Sequence, residues 1–200
     1  MVKKSVIEAH FSSVDPILSK HFHLIADMRL SQSKNPFVDL VESITSQQLS
    51  VKAGSTIFER FKKLFPHSHI TAPGILALTD QQIRDVGVSW SKVKYIKSIA
   101  SAVESGVVVF ASFPKLSDEQ VIEKLTTIHG VGRWTAEMFL MFALGRADVF
   151  SYGDLGLRRG LQKLYGFKNE PTIKQMEKIV KKWAPYRTYA ARILWRSLDG

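Results

Sequence analysis

The stretch Leu125-Thr126-Thr127-Ile128-His129-Gly130-Val131-Gly132-Arg133-Trp134-Thr135-Ala136-Glu137 decides how this chain is read. A helix end runs into Gly-Val-Gly, and a second helix starts at once. Gly130 and Gly132 carry no side chain, so the turn is tight and its backbone can lie close to a ligand. The first N–H groups of the second helix have no partner within that helix, and the helix dipole favours an anion in front of them. A phosphate suits that place. Upstream, Ser117-Asp118-Glu119-Gln120 has the spacing of a capping box and starts the first helix of the pair. Downstream, Arg133 to Leu144 is apolar all round, the pattern of a buried helix. About twenty residues beyond the turn stands Asp154, ahead of the apolar repeat Leu155, Leu157, Leu161, Leu164.

The same signals carry the reading outward to both ends. Residues 5–29 have helix-like apolar spacing with Pro16 as a break, and Ser31 to Pro36 reads as a turn. Phe37 to Thr45 is a helix ending near Ser46-Gln47-Gln48-Leu49-Ser50, and Val51 to Leu64 is the next, stopped by Pro66. Thr79-Asp80-Gln81-Gln82 and Thr172-Ile173-Lys174-Gln175 are further capping boxes. Ser91 to Glu104 is a helix with Lys92, Lys94 and Lys97 on one side, and Pro185 opens the last helix, which runs through Tyr189 to Trp195. The only β-branched run, Val107-Val108-Val109, is isolated. The chain is read as all-α, with about ten helices.

Composition narrows the partners. Twenty-eight Lys and Arg against eighteen Asp and Glu leave a formal charge of +10, which favours a polyanion. Cysteine is absent, which excludes disulfides, thiolate zinc sites and iron–sulfur clusters. The six histidines show no metal-ligand spacing with carboxylates, so no catalytic metal is expected. The segment after Met1-Val2-Lys3-Lys4-Ser5 lacks the apolar core of a secretory signal, and the longest apolar run, Met138 to Leu144, is too short to span a bilayer. An intracellular, membrane-free protein is the expectation.

The pattern Leu-x-x-Ile-x-Gly-Val-Gly-Arg-Trp-Thr-Ala, followed by Asp154, resembles the helix-hairpin-helix superfamily of DNA glycosylases, and within it the alkylbase (3-methyladenine) DNA glycosylase II branch. The resemblance runs from about Phe37 to Trp195. It implies a two-lobed helical fold, with one lobe near 37–147 and the other combining 1–34 with 148–200. It implies that Gly130, Gly132 and Thr135 hold a DNA phosphate, and that carbonyls of Thr126, Ile128 and Val131 bind a monovalent cation, Na⁺ or K⁺; no other cofactor is implied. His129 stands where the family often has proline.

By the same resemblance Asp154 is the catalytic carboxylate. Read alone, an Asp before an apolar helix is an N-cap. Both roles place an anion at a helix N-terminus, and an anion is what an oxocarbenium-like transition state needs. Tyr152-Gly153-Asp154 replaces the family's Pro-Asp-Asp-like triplet, so the first of two acids is missing. Trp134 stands where bifunctional relatives carry the lysine that attacks the sugar, which implies no lyase activity. Trp134, Met138 and Trp195 are expected to wall the base pocket, where an electron-rich ring attracts a cationic methylpurine. Gln48 is expected to insert into the gap left by the flipped nucleotide and to hydrogen-bond the widowed base. Lys52 and Arg133 are candidate phosphate contacts, with a subset of the C-terminal basic residues.

The implied activity is monofunctional excision of alkylated bases, 3-methyladenine first and 7-methylguanine next, from double-stranded DNA by a monomer. The alternatives are a glycosylase for hypoxanthine, ethenoadenine or uracil, and a non-catalytic DNA-binding protein.

Overall fold

The computed structural model describes residues 3–25 and 29–199. Among them every regular element is helical, and no strand forms. In chain order the helices are α1 (Lys4–Val14), α2 (Pro16–Ser19), α3 (Pro36–Ser46), α4 (Val51–Lys62), α5 (Ala72–Ala77) and α6 (Asp80–Asp85). They continue with α7 (Trp90–Glu104), α8 (Asp118–Thr126), α9 (Arg133–Phe142), α10 (Leu155–Tyr165), α11 (Ile173–Val180) and α12 (Arg187–Arg196). Short 3₁₀ turns link several of them, and one of these, Lys181–Trp183, extends α11.

All three capping boxes close as their spacing requires. Thr79, Ser117 and Thr172 each accept the backbone N–H three residues on, and Gln82, Gln120 and Gln175 reach back to the cap residue. Pro16 breaks the first segment by starting a new helix: Asp15 caps it, and proline fits its first turn. Helix α5 had no sequence signal beyond Thr71-Ala72-Pro73, a cap followed by an early proline. The last helix begins at Arg187 rather than Pro185. The run at 107–109 forms no strand and leads into a 3₁₀ turn, with Val107 and Val109 exposed.

The chain divides into two compact units, Met1–Gln32 with Gly145–Gly200, and Ser33–Leu144. In the continuous unit, α3 packs on α4, α7 and α9, α5 packs on α7, and α8 pairs with α9. Leu40, Val41, Ile44, Ile96, Leu125 and Leu140 are among its buried residues. Helix α9 is not buried all round as its composition predicts. Trp134 and Phe142 are 45% and 56% exposed and Met138 is half-buried between them, so positions four apart leave one apolar stripe uncovered within this unit.

In the discontinuous unit, α10 packs on α12, and α1 on α2. Its core holds a buried carboxylate, Asp15, 5% exposed. Asp15 Oδ1 accepts the Leu18 N–H at 3.1 Å, and Oδ2 accepts the Trp183 indole N–H at 2.8 Å and the Tyr165 hydroxyl at 2.5 Å. Donors from α2, α10 and the turn after α11 thus meet on one anion, which satisfies its buried oxygens. Burial, and then the bond to Asp15, push the Tyr165 hydroxyl far above the usual phenol range.

Candidate nucleic-acid and catalytic site

The hairpin is built by α8, the turn 127–132 and α9. Its turn closes through the Ile128 N–H to Leu125 O at 3.1 Å and the Val131 N–H to Ile128 O at 3.0 Å. The two glycines serve different ends. Gly130 has φ +90°, and a Cβ there would meet the Tyr95 ring at 2.1 Å, so this glycine lets α7 pack under the turn. Gly132 has an ordinary φ of −88° with nothing within 4 Å of a built Cβ. It is the N-cap of α9 and has no side chain to cap the first turn. The N–H groups opening α9 therefore face an open approach, the arrangement an anion uses.

Thr135, expected with Gly130 and Gly132 at the phosphate, stands in the first turn of α9 with its side chain turned inward. It is 4% exposed, and its Oγ1 accepts the Gln47 side-chain amide at 3.1 Å. Its hydroxyl is thus engaged within the unit. Arg133 is also committed. Its guanidinium forks onto Glu119 at 2.8 and 3.0 Å and reaches Glu137 at 3.0 Å. These bonds, led by the one to Glu119, raise its affinity for the proton, and the Arg133 bond lowers that of Glu119. Lys52 stands exposed in the first turn of α4. Of the expected cation-binding carbonyls, that of Ile128 already accepts one N–H, and a carbonyl oxygen carries two lone pairs.

Between α3 and α9 lies a groove of about 450 Å³. Met138 and Phe142 line it from α9, and Glu42, Ser43 and Ser46 from α3. Burial, followed by the neighbouring Asp39, raises the Glu42 carboxyl above its usual range. At the end of α3 the chain turns through Gln47 (φ −49°, ψ 135°) into Gln48, whose φ is +58°. A left-handed φ at the third turn position is ordinarily glycine's, so a non-glycine there is held by its surroundings. Gln48 is exposed.

In the other unit, Asp154 is 7% exposed and caps α10. Two donors converge on its Oδ1: the Leu157 N–H at 2.7 Å and the Trp195 indole N–H at 2.9 Å. Trp195, expected as a wall of the base pocket, is thus also a direct partner of the carboxylate. Gly156 makes room for it, since a Cβ there would meet Trp195 Cδ1 at 2.9 Å and Nε1 at 3.0 Å. One turn on, a Cβ at Gly160 would meet the Leu194 carbonyl at 2.7 Å. Two small residues on one face of α10 thereby bring α12 close enough for its indole to reach Asp154. In the sequence the signal for this close packing is the i, i+4 spacing of the two glycines within a helix.

The segment entering Asp154 is pinned as well. Thr188 Oγ1 donates to Arg146 O at 2.7 Å and accepts the Val149 N–H at 3.1 Å, and the Thr188 N–H bonds Ala147 O at 3.0 Å. Arg187 forks onto Asp148 at 2.7 and 2.8 Å. Burial opposes ionisation of Asp148, but the Arg187 side-chain and backbone bonds outweigh it and hold the carboxyl below its usual range. Burial raises the Tyr152 hydroxyl. Gly153 is exposed, with nothing within 4 Å of a built Cβ, so packing does not demand glycine there. At the start of α12, Tyr189 is buried at 4% exposure and Tyr186 is half-buried.

A glycine hairpin that opens a helix to an anion, and a buried Asp capping another helix, define an all-helical protein with the parts of a nucleic-acid repair enzyme. The chain belongs to the HhH-GPD superfamily of base excision DNA repair proteins, whose pattern it matches over residues 41–185. It is 37% identical over 195 residues to DNA-3-methyladenine glycosylase 1 of Schizosaccharomyces pombe, covering 95% of this chain and 86% of that protein. It superposes on the Schizosaccharomyces pombe 3-methyladenine DNA glycosylase Mag1 in complex with abasic DNA with a TM-score of 0.87, at 36% identity over 97% of each chain. The crystal structure of DNA-3-methyladenine glycosidase from Bacillus halodurans gives 0.82 at 40% identity, covering 94% of this chain and 86% of that one.

Proposed function

We propose that this protein is a monofunctional DNA glycosylase of base-excision repair that removes alkylated bases, 3-methyladenine first and 7-methylguanine next. The observation that carries this reading is Asp154: a nearly buried carboxylate whose Oδ1 is fixed by the Leu157 N–H and the Trp195 indole. Only one helix cap is needed there, and the indole is a second, long-range donor that a cap does not require. The relatives' names, 3-methyladenine glycosylases, support the substrate class.

In this reading the hairpin N–H groups at the start of α9 hold a phosphate, and a monovalent cation on the carbonyls of Thr126, Ile128 and Val131 adds to that grip. Gln48 fills the stack behind the flipped nucleotide. Trp134 and Met138 offer a polarisable face to the cationic base. The C1′–N bond breaks with its electron pair leaving on the base, which departs neutral because alkylation had made it cationic. Asp154 stabilises the positive charge that develops on the sugar. Water then bonds to C1′ and gives a proton to solvent, leaving an abasic site. Alkylation already makes the base a good leaving group, so no strong general acid is needed.

The test is incubation with methylated duplex DNA, chromatography of the released bases, and borohydride treatment of a parallel sample. Free 3-methyladenine without a trapped protein–DNA adduct is expected, since Trp134 occupies the place of a lyase lysine. Release of hypoxanthine, ethenoadenine or uracil alone would move the enzyme to another lesion. DNA binding without any released base would make it a non-catalytic binder, and a trapped adduct would end the monofunctional assignment.

A further inference from the structure

The Gln48 turn is held from two sides within its own unit. On the main-chain side, Lys92 of α7 donates to Gln47 O at 2.6 Å and to Thr45 O at 2.9 Å. These carbonyls lie at the C-terminal end of α3, where a helix leaves its last carbonyls without partners and a cation suits the dipole. On the side-chain side, the Gln47 amide donates to Thr135 Oγ1 at 3.1 Å, and Thr135 is buried in the first turn of α9. Between these holds stands Gln48 with φ +58°, exposed and followed by exposed Leu49. The turn's own backbone bonds are long, from the Gln47 N–H to Ile44 O at 3.3 Å and from the Leu49 N–H to Ser46 O at 3.2 Å.

We propose that Lys92 is a positioning residue for DNA insertion: its ammonium clamps the Thr45 and Gln47 carbonyls and so keeps Gln48 in the left-handed conformation that presents it to the duplex. This rests on the reading of Gln48 as the inserting residue. A tip that enters the base stack has to be ordered beforehand, because ordering it on contact spends binding free energy. Lys92 is half-buried, whereas Lys94, two residues on along the same helix, is exposed. Burial draws the Lys92 ammonium below the usual lysine range, so its place is not that of a solvated surface charge. Gln47 connects the same turn to the helix whose start holds the phosphate. Backbone grip and insertion are thereby built on one hydrogen-bonded frame, from Lys92 through Gln47 to Thr135.

The test uses the full chain as wild type, Lys92→Met, Lys92→Arg, Gln48→Ala and the Lys92→Met/Gln48→Ala double variant. Affinity is measured on an abasic-analogue duplex. Single-turnover excision of 7-methylguanine is measured opposite cytosine and opposite an abasic analogue. Lys92→Met should lose about tenfold in abasic affinity, the scale of a lost charged hydrogen bond, and a similar factor in excision opposite cytosine. The excision loss should shrink opposite the abasic analogue, where an unpaired lesion flips at less cost. Lys92→Arg should recover part of the affinity, and the double variant should match Gln48→Ala alone. Should Lys92→Met fail to fold, Lys92→Gln, which keeps a donor without the charge, is read in its place. Weakened Gln48→Ala beside unchanged Lys92→Met overturns the proposal alone. So does an equal loss opposite both partners or a fully additive double variant, because either means general destabilisation. Unchanged abasic affinity in Gln48→Ala overturns the insertion reading and the Lys92 proposal with it.

Discussion

Replacing Asp154 with Asn separates the two roles that one carboxylate fills. Two donors, the Leu157 N–H at 2.7 Å and the Trp195 indole N–H at 2.9 Å, meet the same oxygen of it, Oδ1. An Asn side chain can set its carbonyl oxygen there and accept both, and Asn is as good a helix cap as Asp. The fold should therefore survive, with a stability change of about 0.5 kcal/mol or less, as expected for an isosteric swap that keeps its bonds. The negative charge disappears. A carboxylate about 5 Å from a developing sugar cation, at an effective dielectric of about 20, is worth roughly 3 kcal/mol. That is on the order of 10²-fold in rate, in line with losses measured when such electrostatic partners are removed. Single-turnover release of 3-methyladenine and 7-methylguanine from methylated duplex reads the effect, with thermal melting as the control for folding. The loss should be smaller for the more labile lesion, and binding to an abasic-analogue duplex should persist, since the proposed phosphate grip is that of the hairpin. Near-normal excision by a folded Asp154→Asn protein would refute the argument and leave Asp154 as a cap.

Gly156→Ala should slow excision by about tenfold at unchanged DNA affinity, because its Cβ would press on Trp195 at 2.9–3.0 Å and displace the indole from Asp154; a normal rate would show that the indole contact is dispensable. Gly130→Ala should lower the melting temperature sharply, since it combines φ +90° with a 2.1 Å clash on Tyr95. Gly132→Val should melt near the wild type, having nothing within 4 Å of its Cβ, yet weaken binding to every duplex alike; normal abasic-duplex binding by Gly132→Val would remove the hairpin as the phosphate clamp. Affinity should fall linearly on a logarithmic plot against salt, because bound Lys and Arg release counterions; a flat plot would contradict a phosphate-based grip.

Features that depend on neighbours along the chain were legible in the order of residues. Capping boxes at Thr79, Ser117 and Thr172 work through partners three residues away, so their residues can be read in order. The hairpin glycines and the cap at Asp154 are local in the same sense, and the family pattern around them was legible because it is contiguous. Helix α9 shows where such reading stops. Composition says how apolar a helix is, not which face its unit covers, and the stripe Trp134, Met138, Phe142 stays open in its unit. Packing between helices, by contrast, turns the Thr135 hydroxyl to Gln47, makes Gly130 necessary beside Tyr95, and commits Arg133 to Glu119. The same is true of Lys92 on Gln47 and of Trp195 on Asp154, which join residues 45 and 41 positions apart. Such contacts form when packed helices bring side chains together, and α12 reaches Asp154 because Gly156 and Gly160 leave space for it. A pairing of that kind has no local period or spacing, so it becomes visible only once the helices are packed.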